Sequence, residues 1–102
     1  MELKVNLVRV EGPTSIYIDA EIADTGDLLL SGQDVGQAPS ELFGHSDYEY
    51  WLRIPATKKD ELLLALMQRH YSDNTSVISE FNEYLESVGI PCKFSFPIGS
   101  TS

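Results

Sequence analysis

A chain of 102 residues, 42% hydrophobic and 23% charged, is the size of one globular domain and too apolar to be wholly disordered. Its formal charge of −9 argues against nucleic acid and anionic membrane as partners, and it either keeps the chain soluble, the simpler reading, or steers a basic protein. The charge is unevenly placed: residues 1–49 hold ten acids and two bases, residues 50–102 six acids and five bases.

Taken in chain order, Leu3, Val5 and Leu7 alternate with Lys4 and Asn6, and Val8 and Val10 then shift the phase around Arg9. Such a slip predicts a strand with a bulge near Leu7 or Val8, or one buried on both faces. Gly12-Pro13 stops it. Ile16, Ile18, Ala20 and Ile22 alternate with Tyr17, Asp19 and Glu21 in a second, half-buried strand. Asp24-Thr25-Gly26-Asp27 is turn chemistry, with Gly26 available for positive φ, and Leu28–Leu30 closes a hairpin. Residues 31–44 read as loop, with one helical turn at Ser40–Phe43, and Tyr48–Ile54 reads as a fourth strand ended by Pro55.

Two helices follow. Thr57 is the expected N-cap of the first, with Asp60 or Glu61 complementing the dipole. Leu62, Leu63, Leu66, Met67 and His70 share a face that Leu64 and Ala65 widen, which predicts burial on more than one side. Ser72–Thr75 breaks this helix and caps the next, where Val77, Ile78, Phe81, Leu85 and Val88 form a stripe. Gly89-Ile90-Pro91 is a stop signal: a left-handed glycine, a residue packing back, and a proline that forbids continuation. Cys92, Phe94 and Phe96 alternate as a last strand, placing the thiol inward. The expected architecture is α+β, a mostly antiparallel sheet in β-β-β-β-α-α-β order with the helix pair packed on one face. One domain over 1–98 and a frayed tail at 99–102 are expected.

Chemistry is sparsely signalled. Asp19, Glu21, Asp24, Asp27 and Asp34 lack calcium-loop spacing, so they make either a negative contact surface or a solvated strand face with turn-forming aspartates. Ser31–Gly36 carries two glycines around Gln33 and Asp34 but no phosphate-loop lysine, and reads as a structured turn or a binding loop. In the aromatic strand, Tyr48, Tyr50, Leu52 and Ile54 take one face, and Glu49, Trp51 and Arg53 the other. Trp51 then stands between two charges as an interface residue would, or lies under the 31–44 segment with Arg53 stacked on it. Glu80, Glu83 and Glu86 line one side of the second helix, either solvated or facing a basic partner. There is no HExxH, no GxSxG and one cysteine only, so neither a metal, a cofactor nor a disulfide is expected, and a binding protein is favoured over an enzyme. His70, at a helix end, reads as a carbonyl cap. The N-terminal Met1-Glu2-Leu3-Lys4 carries no signal-peptide pattern and no run reaches membrane-spanning length, so a cytoplasmic protein is expected.

The pattern Gly26-Asp27-Leu28 through Ser31-Gly32-Gln33-Asp34-Val35-Gly36, followed by Asp47-Tyr48-Glu49-Tyr50-Trp51, resembles a group of short bacterial proteins of unassigned function. The resemblance implies an immunity-type partner of a secreted toxin and carries no active residues. The leading expectation is a non-enzymatic binding module in which Asp19, Glu21 and Asp27 steer a basic partner. Trp51 and Tyr17, flanked by Glu49 and Arg53, then supply contact area. A second is a ligand-binding domain or small enzyme using the 31–47 loop with Asp34, His45 and Asp47. The third is a homodimer subunit.

Overall fold

The computed structural model describes residues 3–44 and 47–95. The fold is α+β, with an antiparallel meander of four strands in the order β1-β2-β3-β4. These are β1 (Lys4–Val10), β2 (Thr14–Ile22), β3 (Leu28–Gly36) and β4 (Asp47–Ile54), with α1 (Gln37–Phe43) between the last two. A 3₁₀ turn at Ala56–Lys58 leads into α2 (Lys59–Tyr71), and α3 (Val77–Ser87) follows. The chain divides into two compact units, residues 1–64 and 65–102.

The expected phase slip in β1 is a bulge: the pairing with β2 runs Asn6↔Asp19 and then Val8↔Ile18, leaving Leu7 as the extra residue. A bulge leaves ladder groups without strand partners, and the Asn6 amide answers them. It donates to the carbonyls of Val8 (3.0 Å) and Ile18 (3.3 Å) and to Asp19 Oδ1 (2.9 Å). The slip places Val5, Val8 and Val10 opposite Ala20, Ile18 and Ile16. With Leu28 and Leu30 of β3 and Leu52 and Ile54 of β4, they build one apolar sheet face.

Residues 31–44 are not a loop. Ser31–Val35 continues β3, paired on both sides, Gly36 pairs with Thr14 of β2, and Gln37–Phe43 is helical. Glycine weakens a strand through lost packing and entropy, which is why the composition reads as loop. Two full-length neighbours override that local preference. Each glycine has its own geometric reason. Gly32, the one buried residue among those described, lies under the Tyr50 ring, which occupies the space a side chain would need. Tyr50 then donates to Asp34 Oδ1 at 2.7 Å. Gly36 has φ +123° and abuts the Pro13 carbonyl, which also accepts from the Gln37 amide at 3.0 Å. Thr14 Oγ1 accepts from the Ala38 amide (2.9 Å), so β2 caps the start of α1.

The expected turn and stop signals form. Gly26 has φ +89° in the β2–β3 connection. Gly89 has φ +73°, its amide donates to Glu86, and the Ile90 amide donates to Leu85, a Schellman closure of α3. Asn74 Oδ1 accepts from the Ser76 amide at 2.9 Å and so enters α3. Thr57, expected as an N-cap, lies inside the 3₁₀ turn, because Pro55 starts that turn and Asp27 takes the Ala56 amide.

Three expectations about burial and the C-terminal segment are corrected. Leu63, Leu64 and Leu66 of α2 are each more than half exposed, so the wide apolar face is not buried on several sides. Cys92 is exposed, its thiol donating to Asn82 Oδ1 at 3.4 Å, and is no core residue. Residues 91–95 form no strand, since alternation alone supplies no neighbour to pair with; Phe96 and the tail at 99–102 lie outside the described residues.

Gly32→Ala should push the Tyr50 ring off Asp34 and destabilise the chain by about 1–3 kcal/mol. In a Tyr50→Ala background the same change should be close to neutral. Urea unfolding of the four-member cycle measures the coupling, and additive costs would disprove the ring-over-glycine account.

Candidate functional site

Antiparallel register sets rows across the face opposite the valines, and three of them hold the expected contact residues. One runs Arg9–Tyr17–Gln33–Glu49, the next Asn6–Asp19–Ser31–Trp51, and the third Lys4–Glu21–Leu29–Arg53. Six of the seven expected contact residues, Tyr17, Asp19, Glu21, Glu49, Trp51 and Arg53, thus share one face in adjacent rows. Ser31 and Gln33 bridge them. Their place went unread because the segment looked like loop, although the alternation Leu29, Ser31, Gln33, Val35 carries the signal.

At the centre is a shallow hollow of about 180 Å³, bordered by Tyr17, Asp19, Ser31, Gln33, Glu49 and Trp51. The Trp51 side chain is 61% exposed, so the 31–44 segment does not cover it, and β3 runs beside it instead. Arg53 is engaged with Asp27, Nη1 to Oδ2 at 3.0 Å, and Arg9 with Glu11 at 3.1 Å. Both guanidiniums lie beside acids, and Asp19 and Glu49 border the hollow with the indole. One cation, Lys4, stands opposite Glu21 on the edge strand.

Asp27 is the exception among the expected contact residues. Its Oδ1 accepts from the Ala56 amide (2.8 Å) while Oδ2 meets Arg53, so it ties the β2–β3 turn to the end of β4. The Ala56 hydrogen bond first, and the Arg53 partner next, hold its carboxyl below the ordinary carboxylate value. It is a structural clamp at the margin of the site.

Of the alternative ligand residues, Asp34 and Asp47 lie on opposite faces of neighbouring strands. Asp34 sits on the apolar face, accepting from Tyr50, and that hydrogen bond raises the Tyr50 phenol above its ordinary value. Asp47 is exposed in β4 opposite Val35. His45 lies outside the described residues. Residues 31–43 of that segment are strand and helix. Among the described residues no three His, Cys, Asp or Glu side chains converge as metal ligands. No described helix is long and apolar enough to cross a membrane. In the other unit, His70 is exposed and packs edge-on against Tyr71, with ring centroids 4.5 Å apart. Glu83 and Glu86 are exposed, and Glu80 accepts from the Asn74 amide at 3.2 Å. Set against protein-family models, curated proteins and solved structures, the chain finds no match.

A carboxyl held low by native partners stabilises the fold above its ordinary titration range and loses that contribution as pH falls through the lowered native value. At neutral pH, Asp27→Ala should melt below Asp27→Asn, which keeps an acceptor for the Ala56 amide, and both below the native chain. In strong acid the gap between the native chain and Asp27→Asn should close. A gap independent of pH in thermal melts would contradict the clamp.

Proposed function

We propose that the chain is a non-enzymatic protein-binding module whose polar sheet face receives a basic partner, in the manner of an immunity-type inhibitor. The observation that carries this reading is the exposed indole of Trp51 within a hollow walled by Asp19 and Glu49. An aromatic face beside carboxylates suits a lysine or arginine side chain, which gains both a cation–π contact and a charge-assisted hydrogen bond. Trp and Tyr at the centre of a polar rim also supply the area that binding hot spots use. The formal charge of −9 supports fast, salt-sensitive association with a cationic surface. Occupying such a surface blocks access to it without catalysis.

Trp51 is the sole tryptophan, so its emission reports on this face directly. An arginine-rich peptide should quench or shift that emission, with an association rate that falls as salt rises. Asp19→Asn with Glu49→Gln should weaken binding about tenfold or more, whereas Glu83→Gln with Glu86→Gln should leave it nearly unchanged. Emission indifferent to the peptide, or equal losses from both pairs, would sink the proposal.

A further inference from the structure

The Trp51 hollow has a cation of the chain's own within reach. Arg53 follows Trp51 by two residues in β4, so both side chains leave the same face, about 7 Å apart along the strand. From there a guanidinium can come within the ~6 Å of an indole ring that a cation–π contact needs. The carboxylates of Asp19 and Glu49 border the same hollow and favour a cation in it. Yet the guanidinium is turned the other way, Nη1 to Asp27 Oδ2 at 3.0 Å, and Trp51 is left 61% exposed.

Register explains the direction. Trp51 lies opposite Ser31 and Arg53 opposite Leu29, so Asp27, two residues before Leu29, lies beyond Arg53 on the side away from the hollow. Asp27 is itself held: its Oδ1 accepts from the Ala56 amide at 2.8 Å, which leaves Oδ2 for Arg53. A carboxylate already fixed by a backbone donor has less freedom to lose on pairing. The Asp27 side chain is 21% exposed, against 60% for Glu11, the acid that engages Arg9, so water screens the Asp27 pair less. Glu21, the other acid in the Arg53 row, stands two strands away across Leu29, roughly 10 Å. Without the Asp27 charge, the indole is the nearer partner for Arg53 on this face.

We propose that Asp27 is a positioning residue for the Trp51 hollow: it holds Arg53 off the indole and so keeps the chain's own cation out of the place a partner's cation would take. The first half concerns the free chain, and only the second rests on the hollow being the docking face. Asp27 then serves the site by removing a competitor and touches no partner.

Acrylamide quenching of the sole tryptophan reads the first half. Asp27→Asn keeps an acceptor for the Ala56 amide and frees Arg53, which should cover the indole and lower the quenching constant. Adding Arg53→Gln should restore it. Loosening of the β2–β3 turn alone would raise quenching instead, and Arg53→Gln would not reverse that. Arg53→Gln by itself should leave quenching nearly unchanged, and this comparison decides if Asp27→Asn fails to fold by circular dichroism. For the second half, Asp27→Asn should weaken binding of an arginine-rich peptide about two- to fivefold, the weight of an exposed cation–π contact. The double variant should recover that loss, and Asp47→Asn, equal in charge, should cost less. Unchanged or raised quenching in Asp27→Asn, a marked rise in Arg53→Gln, or a loss of affinity that Asp47→Asn matches overturns the proposal. A native chain indifferent to the peptide overturns the docking reading, and the quenching result then decides the placement of Arg53 alone.

Discussion

The register of the β2–β3–β4 ladder is the constraint on which the other features rest. A shift of one residue anywhere in it exchanges the two faces of a strand and would put Trp51 among valines and Leu52 among carboxylates. Three local devices hold it. The Leu7 bulge resets the phase of β1, and Gly26 closes the β2–β3 turn. The Tyr50 ring, seated over Gly32 and hydrogen-bonded to Asp34, keys β4 to β3 at one position. Asp27 adds an external clamp, binding both Arg53 and the Ala56 amide where β4 ends.

With the register held, the sheet separates charge from apolar surface. The Trp51 side carries Asp19, Glu21 and Glu49, and the reverse side carries valine, isoleucine and leucine. A sheet covered on one side by an apolar partner can keep its other side polar and still be stable, since one buried face is what an antiparallel sheet requires. The polar side presents an aromatic and carboxylates, and the apolar side presents aliphatic side chains.

The acidic residues divide by role in a way that charge alone does not reveal. Asp27 is consumed by structure, Asp34 by a tyrosine hydroxyl, and Asp19 in part by the Asn6 amide that fills the bulge. Glu21 and Glu49 remain directed from the sheet face beside the indole. Counting carboxylates overstates the contact surface. Their positions in the ladder and their local hydrogen bonds separate the acids left open on the sheet face from those that hold the chain together.

Periodicity and turn chemistry in the sequence alone established β1, β2, β4 and the first residues of β3, offered the bulge as one of two readings, and marked the Gly26 turn, the Schellman stop at Gly89 and the two sides of β4. Each depends on residues within a few positions of one another. Tertiary structure decided what depends on distant partners. Gly32 reads as loop until β2 and β4 pair across it, Gly36 until β2 pairs with it, and Asp27 reads as surface charge until Ala56 and Arg53 arrive from residues far along the chain. The alternation Cys92–Phe94 reads as a strand, yet residues 91–95 have no ladder. Local pattern states what a segment can become, and the ladder's long-range hydrogen bonds settle which of those forms it takes.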